Sequence, residues 1–358
     1  VAHDSLPRLR AAVAALPAYV AGRKASGADV AALASNESHY PPLPGVLDAI
    51  ASAATTVNRY PDMATSGLRT RLAELQGVGI DEIAVGPGSV GVLSQVVAAV
   101  CDAGDDVVFA WRSFEAYPIL CRIAGANAVR VPLLPDESHD LSGMVAAITP
   151  RTKAVLLCSP NNPTGTAIGL EALVAFLESV PASVLVVLDE AYREFMSGEP
   201  DTVALYREYP NLCLLRTFSK AYGLAGLRVG YAIARPEIAE GLRRTQVPFS
   251  VSSVAEAAAL AALDTAEEVA ARAATVVAER SRVEAAARAL GWDVPAGEAN
   301  FFWLRCGDAE RERLVATFAD ARVMVRGYAG DGVRVTLADP ASNDRALSVL
   351  AAFDREGG

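Results

Sequence analysis

Lys220 lies where chemistry is most readily built. The stretch Leu215-Arg216-Thr217-Phe218-Ser219-Lys220 ends an apolar run at 212–215, and a glycine-punctuated turn then carries Arg228 into a second apolar run, 229–233. Hydroxyls and a guanidinium can hold a phosphate, and a partly desolvated amine can form a Schiff base. Composition singles the residue out further. Of 32 basic residues only Lys24, Lys153 and Lys220 are lysines, and the first two sit in polar or turn-like settings that read as solvent-facing. The plain alternative for Lys220 is a surface lysine beside a turn.

Other polar residues stand at the ends of apolar runs. Val186-Val187-Leu188 runs into Asp189, Glu190, Ala191 and Tyr192. A carboxylate placed there is costly to bury without a partner, so a specific one is expected. Ser159-Pro160-Asn161-Asn162-Pro163-Thr164-Gly165 is a rigid turn after 154–158, and Trp111-Arg112-Ser113-Phe114-Glu115 supplies an aromatic at another strand end. Ile83-Ala84-Val85 leads into Gly86-Pro87-Gly88-Ser89 and a helix over 89–101. In that order, strand, glycines and helix, free backbone N–H groups can meet a phosphate. The same turn can simply start a helix, and it is not read as the dinucleotide fingerprint, a G-x-G-x-x-G that opens a βαβ unit with a distal acidic residue.

These side chains need a scaffold, and the apolar runs supply one. Strands at 107–110, 128–131, 154–158 and 184–188 alternate with helices at 114–124, 141–148 and 169–179. Continuous apolar strands predict a sheet covered on both faces, with ligands at its carboxyl ends. The prediction is an α/β fold, a large domain with a mostly parallel central sheet covered by helices, plus a smaller α+β domain. Residues 1–34 form an N-terminal arm associated with the small domain, 35–250 the large domain, 251–289 a long connecting helical region and 290–358 the small domain.

Length and charge narrow the function. A chain of 358 residues with 52% hydrophobic residues describes a compact soluble protein. A net charge of -10 without a basic tract argues against nucleic acid or an anionic membrane as partner. No run reaches transmembrane length and no ordered signal peptide opens the chain, so a cytoplasmic location is expected. The five cysteines read as small buried hydrophobes, and neither they nor the three histidines make a metal or triad pattern.

Together the strand ends meet the requirements of pyridoxal 5'-phosphate: an imine-forming lysine, a carboxylate for the pyridine nitrogen, an aromatic support and a phosphate cradle. The chain resembles the fold-type I pyridoxal-phosphate aminotransferases, and within them the histidinol-phosphate and aromatic aminotransferase group. Asn162-Pro163-Thr164-Gly165, Asp189-Glu190-Ala191-Tyr192 and Ser219-Lys220 with Arg228 carry the broad likeness. Asn58-Arg59-Tyr60-Pro61 and Gly332-Val333-Arg334-Val335-Thr336 carry the narrower one. The resemblance implies Lys220 as Schiff-base lysine and proton shuttle, and Asp189 as partner of the pyridine nitrogen. It implies Asn162 and Tyr192 at the phenolate oxygen, Phe114 stacked on the ring, and Gly88, Ser89, Thr217, Ser219 and Arg228 at the phosphate. It further implies Tyr60 reaching that phosphate from a neighbouring subunit of a homodimer with shared active sites, and Arg334 clamping the substrate α-carboxylate.

Substrate choice rests on fewer residues. Where the histidinol-phosphate enzymes commonly carry an acidic pair after the glycine and serine, this chain has Val90-Gly91. Tyr19, Val90, Tyr117 and Phe249 are expected to build a slot for an aromatic ring. The likeness is greatest to actinobacterial phenylalanine or aromatic aminotransferases, with 2-oxoglutarate as amino acceptor. Histidinol-phosphate transamination and a decarboxylase of the same fold are the alternatives.

Overall fold

The computed structural model describes residues 8–16, 29–198 and 200–355. Its centre is a seven-stranded sheet of β1 (Ile83–Gly86), β2 (Asp106–Trp111), β3 (Asn127–Pro132), β4 (Thr152–Cys158), β5 (Leu185–Asp189), β6 (Leu212–Thr217) and β7 (Gly230–Ile233). Their order across the sheet is β1-β7-β6-β5-β4-β2-β3. All neighbouring pairs are parallel except those of β7, which runs antiparallel to both β1 and β6. The carboxyl ends of the other six strands therefore share one edge with the start of β7.

The two-residue period divides each strand between the two faces of the sheet. Val155, Leu157, Val186, Leu188, Leu212 and Leu214 face one side, packed with helices that include Ser66–Gln76 and Leu170–Ser179. Leu156, Cys158, Leu185, Val187, Cys213 and Leu215 face the other, against helix Gly88–Val100 and Tyr117. With both faces covered, the strands read as continuous apolar runs.

A second core belongs to the antiparallel sheet of β8 (Phe301–Arg305), β9 (Arg326–Tyr328) and β10 (Gly332–Thr336), ordered β9-β10-β8. A further short strand, Val323–Met324, precedes β9. Val323–Met324 pairs in parallel with Ala31–Ala32, and Thr336 donates its amide to Leu33 O at 2.9 Å. This part of the arm packs into the smaller core, where Ala31 and Leu33 are buried. Residues 8–16 do not, because Arg10 donates to Ile123 O at 2.7 Å on the helix Ala116–Ala124 of the large sheet.

The helical region over 254–289 breaks at Asp264–Thr265. Ser252 caps its first part, Ser253–Leu263, by accepting from Ala255 N, and that helix buries Ala255, Ala258, Ala259 and Ala262 in the large core. Ala266–Ala289 instead buries Val269, Ala273, Val276 and Val283 in the smaller one. Two helices that the strand pattern did not foresee, Thr202–Glu208 and Pro236–Arg244, complete the cover. Their starts carry recognisable signals, Asp201 accepting from Ala204 N in one and Pro236 in the first turn of the other.

Candidate active site

The shared sheet edge opens into a cavity of about 450 Å³ between the two cores. β6 ends at Thr217, so the following turn places Ser219 and Lys220 in the cavity wall; β5 delivers Asp189, and the turn after β4 delivers Asn162. Strand β10 brings Arg334 from the other core.

Lys220 is half-buried and donates from Nζ to Ser35 O at 3.3 Å. Burial, and then the nearby Arg334 guanidinium, bring its amine down to about 7. An amine so placed is substantially unprotonated at neutral pH, the form needed for attack on a carbonyl. Asp189 is only 4% exposed. Burial raises its carboxyl to about 6, opposed first by the Tyr117 hydroxyl donating to Oδ2 at 2.8 Å and then by the Ala191 amide donating to Oδ1 at 3.2 Å. A cationic N–H partner would stabilise the ionised form.

Tyr192 lies under the amine, its ring centroid 5.7 Å from Lys220 Nζ. Its hydroxyl accepts from Asn36 Nδ2 at 3.0 Å, and Asn36 in turn exchanges two 2.9 Å hydrogen bonds with Thr336 Oγ1. Burial raises the Tyr192 phenol well above its ordinary range, so it remains a donor. Asn36 is buried with φ +53°, a left-handed conformation that asparagine tolerates better than most residues. The sequence pattern does not point to this role, since only the asparagine itself hints at such a backbone.

A second group of donors converges beside the N-terminus of helix Gly88–Val100. Arg228 Nη1 donates to Ser219 Oγ at 3.3 Å, and Thr217 and Ser219 join through a 3.0 Å hydroxyl contact. Gly88 has φ +76°, and a Cβ there would lie 2.2 Å from Arg228 Nη2; a Cβ on Gly230 would lie 2.4 Å from Ser89 N. Both glycines thus permit the close approach that makes a cradle. Among the described residues no carboxylate pairs with Arg228.

Arg334 is 6% exposed and donates to Ala34 O at 2.7 Å and to Asn162 Oδ1. Its Nε is buried with no partner, and no carboxylate pairs with it among the described residues. Such a guanidinium suits a planar carboxylate.

Several expected wall residues lie elsewhere. Val90 and Phe114 line the cavity. Tyr117 does not: it is fully buried behind Asp189, packed edge-to-face on Phe109 and Phe114. Its place on the inward side of helix Ala116–Ala124 turns it from a proposed substrate wall into a support for the carboxylate. Phe249 is also outside the cavity, 41% exposed and stacked on Tyr60 at 4.6 Å, while Tyr60 is itself 82% exposed. Tyr19 lies outside the described residues.

These features fit pyridoxal 5'-phosphate. The donor cradle suits its phosphate, the buried Asp189 its ring nitrogen, and the low-pKa Lys220 its aldehyde.

An amine near neutrality beside a carboxylate-seeking guanidinium is the equipment of an amino-group transferase, and the chain belongs to the aminotransferase class I and II family, whose model matches residues 28–350. It is 51% identical to the aromatic amino acid aminotransferase of Streptomyces avermitilis, over 99% of each chain. It is 49% identical to that of Thermobifida fusca, over 98% of each. Among solved structures, the histidinol-phosphate aminotransferase of Sinorhizobium meliloti in complex with pyridoxal-5'-phosphate superposes with a TM-score of 0.87, at 30% identity and 98% coverage of each chain. A Thermus thermophilus aspartate aminotransferase tetra mutant gives 0.82 at 26% identity, covering 97% of this chain and 99% of that one.

Proposed function

We propose that this protein is a pyridoxal-phosphate-dependent aromatic amino acid aminotransferase that moves the amino group of phenylalanine or a similar donor to 2-oxoglutarate by a ping-pong route. The observation that carries the reading is the meeting of Lys220, Asp189, Asn162 and Arg334 around one cavity whose wall also holds the apolar Val90 and Phe114. Names shared by relatives near 50% identity support the aromatic donor.

Bound in this cavity, the cofactor supplies an aldehyde and an electron sink. Arg334 holds the donor α-carboxylate, with Asn162 fixing the guanidinium. The Lys220 amine, brought down to about 7, would take the donor α-proton as base and give a proton back as acid. Asp189, held by Tyr117, keeps the ring nitrogen protonated. Tyr192, held by Asn36, would donate to the phenolate oxygen, and Phe114 would support the ring. Gly88, Ser89, Thr217, Ser219 and Arg228 bind the phosphate.

The working unit is a homodimer with shared active sites. The exposed Tyr60–Phe249 stack, with Met63 and Val247 also exposed, supports an apolar face for a second copy, from which Tyr60 would reach the phosphate. Five free cysteines support a cytoplasmic location, and among the described residues no helix is long and apolar enough to cross a membrane.

Steady-state assays with phenylalanine and histidinol phosphate as donors test the substrate. The expected result is a kcat/KM for phenylalanine at least about tenfold the higher. A preference for histidinol phosphate would move the assignment to the activity named for the Sinorhizobium meliloti structure.

A further inference from the structure

Besides Arg228 and Arg334, the cavity wall contains a third guanidinium, whose charge is treated differently from that of Arg334. Arg326 on β9 stands directly opposite Arg334 on β10 in the antiparallel register. Directly opposed residues share a sheet face, and like charges there repel. Both guanidinium carbons lie 5.6 Å from the centroid of the Tyr328 ring between them. The polar partners of Arg334 are neutral, a backbone carbonyl and the Asn162 amide, which leave its positive charge for a ligand. Arg326 meets a carboxylate, with Nη2 2.7 Å from Glu115 Oε2. Both members of that pair line the cavity and are largely buried, the side chains 13% and 29% exposed.

We propose that Glu115 is the positioning residue that sets side-chain specificity, by holding Arg326 and cancelling its charge in the substrate wall. A phosphate-bearing side chain carries close to two negative charges and gains most from an uncompensated guanidinium. It would meet Glu115 as well, a like charge that disfavours it. An uncharged ring loses nothing to the pair and packs on the apolar Val90. Selectivity against phosphorylated donors therefore comes from a built-in carboxylate rather than from the absence of a cation. This inference rests on the proposed aminotransferase activity and adds the element that excludes one substrate class.

The test uses the holoenzyme and its E115Q, E115D and E115Q/R326Q variants. Glutamine keeps the shape and an acceptor for Arg326 while removing the charge, so the local contact is retained. The first readout is the ratio of kcat/KM for histidinol phosphate to that for phenylalanine. The second is the ratio of inhibition constants for 3-phosphonopropanoate and 3-phenylpropanoate. E115Q is expected to shift both ratios toward the phosphorus-bearing ligand by at least about tenfold, the first through KM rather than kcat. E115D should keep the wild-type ratios, and E115Q/R326Q should lose the gain. A smaller shift in E115Q, or a gain that survives removal of Arg326, overturns the proposal. A wild type that already prefers histidinol phosphate would instead overturn the proposed donor. The change from wild type to E115Q is a separate quantity.

Discussion

At the scale of single residues, Lys220 and Asp189 have opposite proton preferences in the folded protein. Lys220 falls from an ordinary 10.5 to about 7, and Asp189 rises from 3.8 to about 6. Between pH 7 and 10.5 the unfolded chain binds more protons at the lysine than the folded one, so stability of the cofactor-free protein rises with pH there. Between pH 4 and 6 the folded chain holds more protons at the aspartate, and that contribution is lost as pH rises through 6. The lysine shift also sets capture of the cofactor. Stopped-flow absorbance should show the uptake rate of pyridoxal phosphate climbing with pH to about 7 and then levelling. A climb continuing towards pH 10 would mean an ordinary amine. Lys220 and Asp189 were legible because each follows an apolar strand in a sequence poor in lysine. Asn36 was not, since its partners Tyr192 and Thr336 are remote in sequence and its backbone geometry has no pattern of neighbouring apolar residues.

At the scale of elements, the phosphate cradle depends on two backbones approaching closely. Gly88 opens its helix in a positive-φ conformation against Arg228, and Gly230 starts β7 against Ser89. A Gly88→Ala substitution adds left-handed strain of about 1–2 kcal/mol and forces the guanidinium to move. The expected result is a cofactor dissociation constant raised by at least about tenfold, read by fluorescence titration, with far-ultraviolet circular dichroism unchanged. Equal affinity in the variant would remove the cradle from the account. The strand–glycine–helix order at 83–100 could be read from composition and spacing. The side of helix Ala116–Ala124 to which Tyr117 belongs could not, because Phe109, Trp111, Phe114 and Tyr117 form one aromatic cluster in sequence but divide between cavity and core in space. The Glu115–Arg326 pair was hidden for a related reason: it joins the turn before helix Ala116–Ala124 to strand β9 of the other core.

At the scale of the whole molecule, the site sits between two cores whose division falls at Asp264–Thr265, inside a region that reads as one Ala/Glu/Arg-rich helix. Alanine-rich helix propensity is blind to which core a helix covers. The proposed dimer extends the same division of labour to a second copy. If Tyr60 of one subunit serves the Lys220 of the other, mixing K220A and Y60A proteins under conditions that exchange subunits should create one intact site per mixed dimer. Activity should then exceed that of either parent, and no gain over the parents would place Tyr60 outside the neighbouring site. The reversed strand has a further consequence for the order of assembly. Among the described residues β1 has only β7 as its partner, so the strand that leads into the helix of the proposed phosphate cradle must wait for residues 230–233 before its hydrogen-bonding edge is met. A nascent chain that has already emerged with Asp189 and Lys220 still cannot close the cradle, and cofactor capture thereby becomes a late event in synthesis.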